Sequence, residues 1–247
     1  MVRVLLIVLL AGCSGGAQGP GTVAPLGGSA DAVADSLWDQ GTFIVVDRDQ
    51  ALPGEEKFQI FRTTSGYRFA ITWNRPVPGA ETSDGTVMLE TDERFSPTSG
   101  EDVNNLHGAT GVVVTKSSLR RDPDGRLSTE STEANGKKDI NQSATTNDWF
   151  IGGRLTTLLT VLCQASADFT SPVVYPDKQT ALAPAQPLVI EGTARTVTTR
   201  VLTYLASKNR VVAACENGKL VGESTPDATI VRAGDLALAR TLEKSFR

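Results

Sequence analysis

The sequence predicts a mainly β protein: an antiparallel, strongly curved sheet or half-barrel with one amphipathic helix packed on it. Three observations support this class. Short segments rich in β-branched and aromatic residues follow one another, separated by Gly, Pro, Asn and Asp turn signals. Residues 147–165 have the apolar spacing of a helix. Strands lie on both sides of this helix without alternating with helices, which favours an antiparallel sheet with a helix against one face.

The first thirteen residues have the pattern of an export signal. Arg3 is basic, residues 4–10 form an unbroken apolar run, and residues 10–13 read Leu-Ala-Gly-Cys. The apolar run is too short to cross a bilayer as a helix, which needs about 20 residues. A basic start, a short apolar core and a small-residue exit indicate export rather than a membrane span.

This segment resembles the lipobox signal peptide of bacterial lipoproteins. The resemblance implies that residues 1–12 are removed, that Cys13 carries a diacylglycerol, and that the new amino terminus is acylated, for example with palmitate. Because Ser14 stands where an aspartate retains such proteins on the inner membrane, it implies a lipid-anchored protein of the bacterial cell envelope, on the outer membrane where there are two. An ordinary secretory signal with a chance cysteine, or a cytosolic amino terminus, is the alternative.

Residues 13–30 are dominated by Gly, Pro and small side chains and cannot form a core. We interpret them as a lipidated flexible tether. Residues 31–247 then form a single β-rich globular domain. At its start, residues 31–40 have the composition of a short helix that packs Leu37 and Trp38.

The first half of this domain contains the clearest strand, residues 66–75, in which Tyr67, Phe69, Ile71 and Trp73 alternate with Arg68, Ala70, Thr72 and Asn74. Turns or loops are expected at residues 52–55 and 76–84. The other strands expected here are residues 42–48, 56–63 and 86–92.

Two hairpins follow, with turns at residues 122–125 (Asp-Pro-Asp-Gly) and at Asn135-Gly136. The strands around them, residues 110–121, 126–134 and 137–146, are polar on both faces for much of their length. We therefore expect them at an edge of the sheet, where polar side chains protect an open strand from aggregation.

The helix predicted at residues 147–165 places Ile151, Leu155, Leu158 and Leu162 on one face, with Asn147 or Asp148 as its cap. After it, strands are expected at residues 171–175, 188–195, 196–206, 210–216 and, in two pieces, 219–232. Residues 235–244 form a closing helix.

Cys163 and Cys215 remain once Cys13 is assigned to the anchor. An even pair in an exported chain suggests a disulfide. Closing the loop between these two residues contributes roughly 4 kcal/mol in the chain-entropy model. Two buried free thiols are the alternative.

Composition and motifs exclude several function classes. The formal net charge is −4, and removal of Arg3 makes it more negative, so a nucleic-acid partner is not expected. The sequence has no Gly-x-Ser-x-Gly, no phosphate-binding loop and no dinucleotide fingerprint. Its one histidine, His107, lies among Asn and Gly residues that read as an exposed loop. No catalytic residue, metal or cofactor is therefore assigned.

Apolar side chains are the remaining candidates for a binding site. The anchor, the tether, the antiparallel strands and one central helix are similar in outline to the half-barrel carrier lipoproteins of bacterial envelopes. The resemblance implies a hydrophobic or lipid ligand held between the concave sheet and the helix, without enzymatic activity. The alternative is that the same residues fill an ordinary core. The candidate ligand-binding residues are Phe58, Ile60, Tyr67, Phe69, Ile71, Trp73, Leu89, Leu155, Leu158 and Leu162.

Two other functions remain open. A structural or adaptor lipoprotein would contact envelope proteins through the polar hairpins of residues 110–146 and would need no cavity. An envelope hydrolase would need a cleft with converging acids or with His107. A cavity in the barrel favours ligand binding over the adaptor, and a perturbed acid pair in a cleft favours the hydrolase.

Overall fold

The computed structural model describes residues 35–47, 50–76, 82–109, 111–151 and 155–246. The expected signal peptide, the lipidation site Cys13 and the tether lie outside these residues. The described strands belong to a 15-stranded arrangement in which neighbouring strands pair antiparallel.

The first eight strands form a meander in which each strand pairs with the next along the chain. Buried residues alternate with more exposed ones along much of β2, β3 and β4, so one face of these strands is buried. The strands are β1 (Ser36–Asp47), β2 (Gln50–Arg62), β3 (Gly66–Arg75), β4 (Thr82–Asp92), β5 (Pro97–Gly108), β6 (Gly111–Arg121), β7 (Arg126–Glu133) and β8 (Lys138–Thr146).

The remaining strands continue the sheet on the other side of β1, which pairs with the last strand, β15. The order along this side is β1-β15-β14-β13-β12-β10-β9, and β11 also pairs with β12. The strands are β9 (Val173–Val174), β10 (Lys178–Leu182), β11 (Gln186–Val189), β12 (Thr196–Tyr204), β13 (Arg210–Glu216), β14 (Lys219–Ser224) and β15 (Thr229–Arg232).

The two ends of the sheet meet at a seam. Trp149, just after β8, makes a parallel bridge with Val174 of β9, and the Tyr175 N–H donates to the Trp149 carbonyl at 2.9 Å. The Asp177 carboxylate accepts a hydrogen bond from the Ala144 N–H of β8 at 2.7 Å. The sheet is therefore a nearly closed barrel, which confirms the predicted mainly β, antiparallel and strongly curved class.

A short helix lies inside the barrel. It begins as a 3₁₀ turn at Thr156–Leu159 and continues as α1 (Thr160–Gln164). Its apolar side chains Leu158, Leu159 and Leu162 are buried in the same core as the inner faces of β2, β3 and β4. We call residues 156–164 the interior helix.

The helix predicted at residues 147–165 is thus wrong over its first part. Asp148 and Trp149 use their backbone groups to close the seam with residues 173–175, and the Asn147 side-chain oxygen accepts the Asp177 N–H. These residues are therefore not free to form helical hydrogen bonds. Leu155 is extended, with φ −86° and ψ 115°. The apolar spacing from Leu158 to Leu162 was correctly interpreted as helical.

The disulfide between Cys163 and Cys215 is confirmed. Cys163 lies in the interior helix and Cys215 lies in β13, so the bond ties the helix to the barrel wall. The chain between the two cysteines contains the seam strand β9 and strands β10–β12.

The predicted closing helix is also confirmed, as α2 (Leu236–Phe246). It packs on the outer face of β14 and β15, because its apolar side chains belong to a second core that is separate from the barrel interior. That core includes Val46, Val197, Val212, Val221, Val231, Leu238 and Leu242.

Other local predictions need correction. Residues 36–40 are strand, not helix, because Trp38 packs on Tyr67 (centroids 5.5 Å apart) and Asp39 is buried in an ion pair with Arg232. Residues 52–55 are part of β2: Asp47 pairs with Gln50, so the chain reverses there instead. The loop expected at residues 76–84 ends earlier, since β4 begins at Thr82.

The two polar hairpins are confirmed, with β6, β7 and β8 at one end of the strand order. The carboxylate of Asp122 accepts hydrogen bonds from the Ser128 hydroxyl and from the Gln142 side chain at 2.7 Å. These bonds cross from the first turn to both following strands and fix the hairpins against each other.

Candidate functional site

A cavity of about 250 Å³ lies inside the barrel, between the inner faces of β3–β7 and the start of the interior helix. Its wall combines apolar, aromatic and polar residues. They are Trp73, Val87, Met88, Leu89, Gly100, Glu101, Asp102, Asn104, Ser117, Ser118, Leu119, Thr129, Ser131, Phe150, Leu155 and Tyr175.

Strand register explains why this wall changes from apolar to polar. Val87, Asp102, Ser117 and Ser131 lie directly opposite one another on β4, β5, β6 and β7, so their side chains share one face of the sheet. The Ser117 and Ser131 hydroxyls form a hydrogen bond of 2.9 Å. Asp102 lies beside this pair of serines and is not hydrogen-bonded to either.

The Asp102 carboxylate has no hydrogen-bond or ion-pair partner among the described residues. Its side chain is half-buried, and this burial raises the pKa of Asp102 above its ordinary value. A half-buried carboxylate without a partner is unusual, because desolvation of a charge is normally offset by hydrogen bonds or by an opposite charge.

Three aromatic side chains contribute to the cavity wall. Trp73 lies over Gly85 of β4, where an added Cβ would come within 2.7 Å of the indole ring. Phe150 and Tyr175 pack together with centroids 5.7 Å apart, and the Tyr175 hydroxyl forms a 2.8 Å hydrogen bond with the Thr129 hydroxyl. The indole Nε1 of Trp73 is buried and has no acceptor among the described residues.

The charge of the wall is negative. Among the described residues that line it, the two acids are Glu101 and Asp102, and none is Lys, Arg or His. Glu101 is exposed and alternates with Asp102 along β5, so its side chain lies on the outer face. Asp102 is therefore the acid that faces the cavity.

A second polar cluster holds the interior helix and does not line this cavity. The Glu56 carboxylate accepts hydrogen bonds from the backbone N–H of Thr156 at 2.9 Å and of Thr157 at 2.7 Å. Arg75 donates to the same carboxylate at 2.5 Å. Wall strands β2 and β3 thus cap the first turn of the helix.

Glu223 of β14 approaches the same turn from the opposite side, where its carboxylate accepts a hydrogen bond from the Thr156 hydroxyl at 2.9 Å. Burial raises the pKa of Glu223 to about 7, and the nearby Glu56 carboxylate adds to the increase. Both acids are committed to holding the helix. The pair is therefore structural and lies outside the cavity, so it does not support a hydrolase.

His107 is not in a loop. It belongs to β5, and its Nε2 contacts the Asp84 carboxylate of β4, which also accepts a hydrogen bond from the Asn105 side chain at 2.9 Å. These two hydrogen bonds lower the pKa of Asp84. The prediction failed because residues 97–108 contain few β-branched residues, and their pairing with β4 and β6 decides the structure.

The ten predicted ligand-binding residues divide into two groups. Trp73, Leu89 and Leu155 line the cavity. The other seven lie in the core without lining the cavity: Phe58, Ile60, Phe69, Ile71, Leu158 and Leu162 are buried, and Tyr67 packs against them.

The sequence interpretation missed Asp102, Ser117, Ser131 and Tyr175. Polar residues at alternate positions, such as Asp102 and Asn104 on β5 and Thr115 and Ser117 on β6, were the available signal, since they mark a polar inner face when the strand is in a barrel. That signal has meaning only once the register of β5 and β6 is known.

Two further observations concern other kinds of site. Among the described residues, no group of three or more His, Cys, Asp or Glu side chains is placed to hold a metal ion. The helices in this part of the chain are all too short or too polar to cross a bilayer.

No protein family and no curated protein matches the sequence. Among solved structures, one match is the crystal structure of a β-barrel-like protein of the domain of unknown function DUF1849 from Brucella abortus. The two chains are 12% identical, the match covers 78% of this chain and 92% of that chain, and the TM-score is 0.45.

Proposed function

We propose that this protein is a lipid-anchored envelope lipoprotein that binds a small apolar or lipid-like ligand inside its barrel and performs no chemistry on it. The observation that carries this proposal is the cavity of about 250 Å³, with its apolar and aromatic side chains and with Asp102, which has no partner among the described residues. Concave, mostly apolar sites with a few polar groups that fix orientation are the usual form of a small-molecule site.

The size of the cavity limits the ligand. Typical ligand pockets have volumes of roughly 300–1,000 Å³, so a cavity of about 250 Å³ holds a small molecule or one end of a larger lipid. The apolar side chains of Leu89, Leu119 and Leu155 would contact the body of the ligand, and the Asp102 carboxyl group would contact its polar group.

A second candidate function is that of an adaptor, supported by apolar side chains at the β5–β6 hairpin. Val112 is 52% exposed and Val113 is 54% exposed, and Leu106 opposite Val113 is 38% exposed. An exposed apolar hairpin can bind another envelope protein. This function needs no cavity, so an empty cavity together with partner binding at the hairpin would favour it.

Native mass spectrometry of the full-length protein, purified from the envelope in a nonionic detergent, tests ligand binding. We expect a stoichiometric adduct that is not the detergent. Ser131→Phe fills the cavity and should lose the adduct. Thr132→Phe, with its side chain on the opposite face of β7, is the matched control and should keep it. A wild-type protein without any adduct would argue against the proposal.

A further inference from the structure

The cavity contains an acid without a counter-ion among the described residues. Asp102 lines the cavity and has no hydrogen-bond or ion-pair partner in this part of the chain. No Lys, Arg or His is among the described residues of the wall. The Ser117 and Ser131 hydroxyls form a hydrogen bond with each other, and neither is bonded to Asp102. The described part of the site therefore offers a carboxyl group without a cationic partner to whatever enters.

Aromatic faces accompany this charge. Trp73, Phe150 and Tyr175 line the same cavity. Gly85 of β4 pairs with Trp73 on one side and with β5 on the other. Because Gly85 has no side chain, nothing at this position of β4 separates the indole from the inner face of β5. Aromatic faces attract organic cations through their quadrupoles, and a carboxylate attracts them by charge, so the two features are complementary to the same chemistry.

The same wall disfavours an anion. A fatty-acid carboxylate or a phosphate placed in the cavity would lie near Asp102, and the described lining residues include no cationic side chain to offset the repulsion. A neutral hydrocarbon would fit the apolar residues but would leave Asp102 buried beside it without a partner.

We propose that the cavity selects an organic cation, either an amphipathic amine or a quaternary ammonium group, with its charge at Asp102 and its apolar part against Trp73, Phe150 and Tyr175. This proposal rests on the proposed function, since it names the ligand class of the same cavity. The cation can be a free amine or the cationic headgroup of a lipid.

Calorimetric titration of the full-length protein in a nonionic detergent with two isosteric probes tests the proposal. Choline carries a trimethylammonium group, and 3,3-dimethylbutan-1-ol has the same shape without the charge. We expect choline to bind about tenfold more tightly or better, because a contact with a charged group contributes a binding free energy of at least that size. Equal affinities would overturn the cation proposal and leave the proposed function standing. Binding of neither probe would also overturn the cation proposal, and the adduct seen by native mass spectrometry would then decide the proposed function on its own.

Asp102→Asn should weaken choline binding by about tenfold or more and leave the alcohol unchanged. Asp227→Asn removes the same charge from an exposed turn between β14 and β15 and should change neither affinity. If Asp102→Asn kept the preference for choline, Asp102 would not be the recognising group and the proposal would fail. If that variant does not fold, the comparison of the two probes in the wild-type protein still tests the cation proposal.

Competition distinguishes the two sources of the cation. Displacement of choline by the short-chain lipid dihexanoylphosphatidylcholine would identify a lipid headgroup as an accepted ligand. Displacement by butyltrimethylammonium but not by the lipid would identify a free amine. Either result supports the proposal. Displacement of choline by pentanoate at similar concentrations would overturn it, because an anion of similar length would then compete as well as a cation.

Discussion

The carboxylate of Glu56 in the barrel wall accepts a hydrogen bond of 2.7 Å from the backbone N–H of Thr157 in the interior helix. The same carboxylate accepts the N–H of Thr156, and 3₁₀ or α-helical N–H groups at this position have no partner within their own helix. The wall therefore fixes the start of the helix. Because Leu155 immediately precedes it and lines the cavity, Glu56 also fixes one side of the cavity.

Replacement of Glu56 by alanine should strongly destabilise the fold. The change leaves two buried N–H groups without their acceptor and removes a buried partner of Arg75. We expect a loss of about 3 kcal/mol or more in the free energy of unfolding, measured by urea titration. Glu55→Ala, on the exposed face of the same strand, is the control and should cost less than about 0.5 kcal/mol. Similar losses for both variants would contradict the role of Glu56.

The stability of the protein should fall as the pH rises from about 4.5 to about 7, because of Glu223. Burial raises the pKa of Glu223 from 4.5 to about 7, so the folded state holds a proton that the unfolded state releases in this range. The carboxyl is neutral in both states below this window and charged in both above it. The difference between the two pKa values corresponds to roughly 3 kcal/mol.

Glu223→Gln should therefore remove this pH dependence and stabilise the protein above pH 7. Glutamine keeps an acceptor for the Thr156 hydroxyl and removes the repulsion from Glu56, and Arg75 retains its contact with Glu56. Urea unfolding at pH 5 and pH 8 measures the effect. An unchanged slope of stability against pH in the variant would show that another group is responsible.

Removal of the disulfide should destabilise the protein by about 4 kcal/mol in the chain-entropy model, since the bond closes a loop of 52 residues. Cys163→Ala with Cys215→Ala is the test, with urea unfolding as the measurement. A reducing agent should lower the stability of the wild-type protein to about that of the double variant and leave the variant itself unchanged. A wild-type protein insensitive to reduction after full unfolding and refolding would contradict this account.

Cys13→Ser should move the protein from the membrane fraction to the soluble fraction. The expected acyl chains at Cys13 contribute about 0.8 kcal/mol per buried methylene, and no lipid can be attached to a serine by the lipobox route. Ser14→Ala leaves the cysteine intact and should remain on the membrane. If the Cys13→Ser protein stays with the membrane, the lipobox interpretation is wrong.

The strands with clear alternation were predictable from the sequence. Phe69 and Ile71 alternate with polar residues, and they lie on the buried face of β3 as expected. β5 was missed because residues 97–108 carry little β propensity of their own, and pairing with β4 and β6 stabilises them. The helix at residues 147–165 was predicted too long because the seam, a contact between residues about 25 apart, uses the backbone of its first part.

The cavity itself could not be predicted from the sequence. Most of the predicted apolar residues fill the core, as the alternative interpretation held, and the cavity begins where the inner face becomes polar. Asp102, Ser117 and Ser131 come together only through the register of three strands. A shift of that register by one residue would turn Asp102 to the outer face and remove the site.

A crystal structure of the full-length protein, purified from its own envelope without added ligand, tests the central claim most directly. The account predicts continuous density in the cavity, in contact with Asp102 and with the ring of Trp73, and its loss in Ser131→Phe. A cavity that contains only ordered water hydrogen-bonded to Asp102 would contradict ligand binding and favour the adaptor function at the β5–β6 hairpin.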